Sequence, residues 1–235
     1  MTKRAMPLPP VPEFYGVHPA LQTTQDDWLA SQKIRLLMAL RKAGITDTRV
    51  LGAMEQVARE QFVDETFRDR AYDDNALPIS CEQTISMPSV VATMTQALDV
   101  KPTQCVLEIG TGSGYQAAVL AKLARRVHTI ERHKPLAEQA RARFAAMKLR
   151  NIDSHVGDGS KGWPHAAPYE RIIVTAAAAE IPQSLLAQLT IGGVMIIPVG
   201  AHVADQFLLR LTRVAEDEVR KEVLNAVRFV PLVAG

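Results

Sequence analysis

The stretch Val106-Leu-Glu-Ile-Gly-Thr-Gly-Ser-Gly-Tyr115 carries glycines at alternate positions, Gly110, Gly112 and Gly114, separated by Thr111 and Ser113. A turn that leaves a parallel strand and enters a helix must bring bare backbone close to a ligand, and glycine permits this without steric cost. The spacing departs from the dinucleotide fingerprint G-x-G-x-x-G, because the third glycine comes one residue early and Tyr115 takes its place. No Gly-Lys-Ser/Thr closes the turn, so it does not match a phosphate-cradling loop either. Glu131, followed by Arg132, lies 131 − 110 = 21 positions after the first glycine. A carboxylate there can accept hydrogen bonds from both hydroxyls of a ribose. Gly157-Asp158-Gly159 offers a second carboxylate, placed for an adenine amino group. Together these residues describe a site for a nucleoside-bearing ligand without a pyrophosphate.

These residues need a frame that brings them to one edge. Short apolar segments at 105–109, 126–130, 152–156, 169–175 and 193–198 read as strands, and 115–123, 135–149 and 182–189 read as helices between them. Strict alternation implies right-handed crossovers and a mostly parallel, doubly wound sheet. The glycine turn then follows the first of these strands and Glu131 ends the second. The Gly157–Gly159 turn follows the third, and Thr175 ends the fourth, where doubly wound folds place ligand-contacting residues. Upstream, Trp28, Ile34, Leu37, Met38 and Leu40 recur at helical spacing before a C-capping Gly44. Further helices are expected at 47–57 and from Pro88 to residue 98. Residues 76–88 carry two prolines and several hydroxyl or amide side chains, and read as an ordered loop. Residues 206–214 and 219–233, joined by an acidic turn at 215–218, read as an antiparallel hairpin on the sheet edge. The organisation expected is a flexible leader at 1–25 and a single domain at 26–235. Within it, 26–100 forms a helical cap and substrate loop, and 101–235 the cofactor-binding sheet and C-terminal hairpin.

Composition excludes more than it identifies. The chain has 235 residues, 47% hydrophobic and 22% charged, which is long enough to bury a sizeable core. Its 27 Lys+Arg against 25 Asp+Glu give a net charge of +2 with no long run of either sign, which argues against nucleic acid as a partner. Cys81 and Cys105 form no paired-cysteine spacing and the histidines no HxxxH or HExxH pattern, so no metal site is expected. No disulfide is suggested either. The apolar runs fall short of the roughly 20 residues of a membrane span. Pro7, Pro9, Pro10 and Pro12 break the N-terminal stretch, which lacks a signal-peptide core. The expectation is a cytoplasmic protein with no membrane partner, acting as a monomer.

A G-x-G-x-G turn with Glu108 in the strand before it is similar to the signature of Rossmann-like, S-adenosyl-L-methionine-dependent methyltransferases of class I. More of the chain points the same way. Phe62-Val-Asp64, Ala76-Leu-Pro-Ile79, Gln83-Thr-Ile-Ser86, Gly157-Asp-Gly159, Ile172-Ile-Val-Thr-Ala-Ala177, Glu180-Ile-Pro182 and Val227-Arg-Phe-Val-Pro-Leu-Val233 resemble the protein-L-isoaspartate (D-aspartate) O-methyltransferase family, bacterial members in particular. The resemblance runs from about residue 44 to 235. It implies S-adenosyl-L-methionine as cofactor, held by Glu108, Gly110, Thr111, Gly112, Ser113, Gly114, Glu131, Arg132, Asp158, Gly159 and Thr175. It also implies methylation of the α-carboxyl of isoaspartyl residues in peptides and proteins. The serine matching Ser86 is the family's active-site residue and is expected to position the substrate carboxylate, with Thr84 beside it. Ser86 also lies two residues before Pro88, where it could cap the helix that follows.

The chain departs from the family in the same loop. Ser80-Cys81-Glu82 stands where glycine is common, Met87-Pro-Ser89 replaces Gln-Pro-aromatic, and Ala178 and Ala179 replace prolines. Losing glycine narrows backbone freedom, and Glu82 adds negative charge beside a site for a carboxylate. Cys81 has no histidine partner in view and reads as a plain loop cysteine. Two alternatives stand beside the repair enzyme: a methyltransferase for another peptide or small-molecule acid, and a cofactor-binding protein without catalysis.

Overall fold

The computed structural model describes residues 24–233. Most of the expected leader, residues 1–23, lies outside the described residues, while Thr24 and Gln25 already belong to the first helix. That helix, α1 (Gln25–Lys42), opens on a reciprocal cap: the Asp27 amide donates to Thr24 Oγ1 and the Thr24 amide to Asp27 Oδ2, both at 3.1 Å. Its core face differs from the expected one. Leu29, Leu36 and Leu40 are buried, whereas Trp28, Ile34 and Met38 are 38%, 57% and 66% exposed. The helix touches the domain along one narrow stripe, and helical spacing alone does not say which of several apolar stripes that will be. The second helix, α2 (Thr48–Gln56), is capped by the Asp47 side chain.

Residues expected to form a plain loop instead make a small antiparallel hairpin, β1 (Leu77–Pro78) with β2 (Thr84–Ile85). Its turn explains the difference. Cys81 and Glu82 both have positive φ, 59° and 57°, as the tight mirror-image turns that join two strands require. The helix α3 (Pro88–Leu98) follows, with proline in its first turn. Its N-cap is Met87, which makes no side-chain capping bond, so Ser86 is not the cap. The amide that such a cap would satisfy, Ser89 N, donates instead to Asp74 Oδ1 (2.8 Å).

The alternating part forms as expected: β3 (Cys105–Ile109), α4 (Tyr115–Ala121), β4 (Arg126–Glu131), α5 (Lys134–Ala146), β5 (Ile152–Val156), β6 (Tyr169–Val174), α6 (Gln183–Ala187) and β7 (Leu189–Val199). The antiparallel pair β8 (Phe207–Arg213) and β9 (Val219–Ala226) completes a seven-stranded sheet of order β5-β4-β3-β6-β7-β8-β9. It is parallel from β5 through β7 and antiparallel beyond. Chain direction across the sheet reverses beside β3, so the crevice between the carboxyl ends of β3 and β6 is the topological switch point, where open α/β sheets bind ligands.

The last strand ends earlier than expected, at Ala226 rather than 233. The Gln206 side-chain amide takes over the backbone of the tail: Phe229 N donates to Gln206 Oε1 (2.6 Å) and Gln206 Nε2 to the Phe229 carbonyl (3.2 Å). The tail then turns back onto the carboxyl end of β6, with the Ala177 amide on the Val230 carbonyl (2.8 Å) and the Leu232 amide on the Ala177 carbonyl (2.7 Å).

The hairpin turn yields a test. Left-handed backbone costs a side-chain-bearing residue roughly 1 kcal/mol more than glycine, so Glu82→Gly should raise the urea unfolding free energy by about 1 kcal/mol. An unchanged or lowered midpoint would show that the turn is not under this strain.

Candidate active site

The glycine turn is held from both sides. Gly110 N donates to the Ile130 carbonyl of β4 (2.8 Å), and Thr175 N to the Ile109 carbonyl of β3 (2.9 Å). The Thr175 hydroxyl reaches the Gly110 carbonyl at 2.6 Å. A Cβ on Gly110, at φ +95°, would meet that hydroxyl at 2.5 Å. One on Gly114, at φ +92°, would meet the Phe144 ring at 2.8 Å. Both positions therefore need glycine, for backbone conformation and for the close approach of neighbouring elements.

Glu131 ends β4 and is 5% exposed. Its Oε2 accepts from the Gly112 amide (2.8 Å) and its Oε1 from the His133 amide (2.9 Å). A carboxylate has about four acceptor sites, so two bonds leave capacity for a ligand diol.

One cavity gathers most of the residues singled out from the sequence. Its wall includes Thr84, Ser86, Gly110, Thr111, Gly112, Ser113, Glu131, Arg132, Gly159 and Thr175. Three others are not on that wall. Gly114 packs against α5. Asp158 caps the short helical turn after β5, accepting from Ser160 N (2.9 Å) and Ser160 Oγ (2.7 Å), with Lys161 Nζ at 3.5 Å. Glu108 lies behind the turn, fully buried, where Thr129 Oγ1 donates to its Oε2 at 2.5 Å and Thr111 Oγ1 sits 2.6 Å from Thr129 Oγ1. Burial, reinforced by the Glu131 charge and opposed by the Thr129 hydroxyl, pushes Glu108 up to about 8.

The cavity also includes residues that sequence reasoning missed. Tyr115 and Gln116 follow the glycine turn, and His133 follows Arg132, so contiguity with the motif was the available signal. Val91 and Met94 come from α3, and nothing in their spacing marked them. The tail was not missed: Val230, Pro231, Leu232 and Val233, within the 227–233 motif singled out from the sequence, form a wall of their own, and Arg132 Nη1 ties that wall down through the Val233 carbonyl (3.0 Å).

The donor set suits a nucleoside with a sulfonium tail better than one with phosphates. A nearly buried carboxylate, Glu131, stands beside the turn where a pyrophosphate would be repelled, and the walls are largely apolar. No helix among the described residues is long and apolar enough to cross a membrane, and among them no three His, Cys, Asp or Glu cluster as a metal site. Cys81 is exposed and Cys105 half-buried, both free.

Sheet order, switch-point cavity and carboxylate-flanked glycine turn define a class I, S-adenosyl-L-methionine-dependent methyltransferase. The model of the protein-L-isoaspartate(D-aspartate) O-methyltransferase family matches residues 31–235. The chain belongs to that family. Protein-L-isoaspartate O-methyltransferases of Rhodospirillum rubrum and Paracoccus denitrificans are each 57% identical to it. The first alignment covers 87% of this chain and 94% of the relative, the second 90% and 98%. A solved protein-L-isoaspartate O-methyltransferase superimposes with a TM-score of 0.78 at 26% identity, over 86% of this chain and 66% of its own. A Plasmodium falciparum protein of the same designation, solved with S-adenosyl-L-homocysteine, gives 0.73 at 27% identity, over 86% and 98%.

Glu108 makes the stability of the free protein pH-dependent in a defined direction. Below its ordinary value near 4.5 it is protonated whether the chain is folded or not, and its folded-state contribution is fully present. Between there and about 8 the unfolded chain ionises while the folded one resists, so stability falls as pH rises. Urea titrations of Glu108→Gln and the wild type from pH 5 to 8 should show the variant gaining on the wild type as pH rises. A pH-independent difference would contradict this.

Proposed function

We propose that the protein transfers the methyl group of S-adenosyl-L-methionine to the α-carboxyl of L-isoaspartyl residues, and to the side-chain carboxyl of D-aspartyl residues, in damaged proteins. The observation that carries this reading is that one cavity is lined at once by the glycine turn, by the Thr84–Ser86 segment and by the tail at 230–233. The glycine turn carries the resemblance to methyltransferases at large, and the other two carry the resemblance to this family.

When bound, S-adenosyl-L-methionine supplies a methyl group on a positively charged sulfur, an activated donor that needs no metal. The substrate carboxylate is ionised at neutral pH and is already the nucleophile, so no side chain has to remove a proton first. The work left to the protein is placement and the exclusion of water. Glu131, with Gly110 and Gly112, is placed for the adenosyl end of the cofactor. The Ser86 hydroxyl holds the carboxylate in line, with Thr84 beside it on β2. The tail closes the opposite wall. The methyl ester formed then collapses to a succinimide without further catalysis, the following backbone amide nitrogen displacing methanol, and hydrolysis returns part of the product to normal aspartyl linkages. A near-balanced net charge of +2 suits a cytoplasmic monomer that meets damaged segments of many different proteins, with neither nucleic acid nor membrane as partner.

Radiolabelled methyl transfer should reach an isoaspartyl peptide and not its aspartyl twin; equal labelling of both, or none of either, would overturn the proposal. Ser86→Ala should lower kcat/KM for the peptide on the order of 100-fold and leave cofactor affinity unchanged by calorimetry. Full activity in that variant would remove Ser86 from the site.

A further inference from the structure

Among the described residues Arg59 is one of the largest fully buried side chains, with 0% of its surface exposed; no carboxylate forms an ion pair with it, and Asp74 acts on it only from beyond ion-pair distance. Its Nε donates to the Ala71 carbonyl (2.7 Å) and its Nη2 to the carbonyl of Ser86 (2.8 Å). Its guanidinium carbon lies 4.8 Å from the centroid of the Tyr115 ring. Nη1 is buried and has no hydrogen-bond partner. Isolated charges are not normally left in a protein core, because desolvation costs more than two carbonyls and a ring return. Both groups that Arg59 contacts on the cavity side, Ser86 and Tyr115, form the cavity wall. The cation therefore sits one layer behind the surface against which the substrate is placed.

We infer that Arg59 is a positioning residue whose charge, acting through Ser86 and across the Tyr115 ring, makes this part of the cavity select a negatively charged carboxylate; the inference rests on the proposed isoaspartyl reading. The physical reason is the low dielectric between the two. A buried unit positive charge with no carboxylate in an ion pair stabilises an anion several ångströms away much more than it would through water. Methyl transfer converts that anion to a neutral ester, so the same charge favours bound substrate over methylated product. It acts on substrate affinity, hence on KM, more than on kcat. Burial works against the charged form of Arg59, yet a guanidinium keeps its proton where an ammonium would lose it, which accounts for arginine at this position.

The test compares binding of an isoaspartyl peptide with that of the same peptide carrying an amide in place of the α-carboxyl. Taking the ratio cancels any loss of folded protein. In the wild type the carboxylate should bind more tightly. In Arg59→Gln the ratio should fall by about tenfold or more, with KM raised and kcat changed much less. In Arg59→Lys at pH 6 the ratio should stay within about threefold of the wild type.

Were Arg59→Gln not to fold, Arg59→Lys decides alone. A buried lysine loses its proton at lower pH than a free one, so the variant's ratio should decline from pH 6 to pH 9 while that of the wild type holds. The other titratable groups facing Arg59 are Tyr115, Tyr72 and Asp74, with Glu60 hydrogen-bonded to Tyr72, and the wild-type profile reports all four. A ratio unchanged in Arg59→Gln, or one in Arg59→Lys that is flat with pH, would overturn the inference. A wild type that binds neither peptide would instead overturn the isoaspartyl reading.

Discussion

The carboxylate of Glu131 accepts one amide hydrogen from Gly112 and one from His133, and the rest of the site is arranged around that pair of bonds. The first joins the end of β4 to the turn that leaves β3, beside the Gly110 and Thr111 amides on the Ile130 carbonyl and the Thr111–Thr129 hydroxyl contact, and the second fixes the other carboxylate oxygen. The turn must bend sharply to stay within reach, which requires the left-handed conformations at Gly110 and Gly114 and the absence of side chains against Thr175 and Phe144. The crevice exists because the crossovers run one way from β3 to β5 and the other way from β6 to β7. Glu131 turns that crevice into a site with a definite floor.

Charge is distributed in layers around this floor. Glu131 is buried at the cavity wall and bonded to backbone amides. Glu108 lies behind it among Thr129 and Thr111, where burial favours its neutral form, so the turn is eased of resting on two carboxylates of like charge. On the far side Arg59 contributes a buried positive charge, without an ion-pair partner, behind Ser86 and Tyr115. On the proposed reading the adenosyl end would meet a carboxylate and the acid-binding end a field of opposite sign. Such an arrangement suits a reaction that brings a cation and an anion together and leaves neither.

Local pattern made the sheet and the cofactor side legible. Glycine spacing, strand–helix alternation and the distance to Glu131 are short-range features, each with a backbone or hydrogen-bonding reason, and the strands formed close to where their apolar runs lie. What escaped depends on contacts between segments far apart in the chain. Residue spacing on α1 picked out Leu40, which faces inward, but could not show that Leu29 and Leu36 do so while Trp28, Ile34 and Met38 do not. The end of β9 at Ala226 follows from the Gln206 side chain capturing Phe229, more than twenty residues away. The hairpin at 77–85 needs positive φ at a cysteine and a glutamate, residues that do not signal such a turn. Arg59 was passed over because an arginine in a short helical turn ordinarily points to water. Only the packing of Tyr115 and the Ser86 segment over it shows that it does not.

The central claim is that Glu131 both holds the glycine turn and receives the nucleoside. Calorimetric titration of S-adenosyl-L-homocysteine into Glu131→Gln tests it most directly, because glutamine keeps the shape but cannot accept at both ends. With melting showing the variant folded, the account predicts affinity lower by roughly 10- to 100-fold, the cost of leaving buried donors unpaired. Affinity within about twofold of the wild type in the folded variant would contradict it.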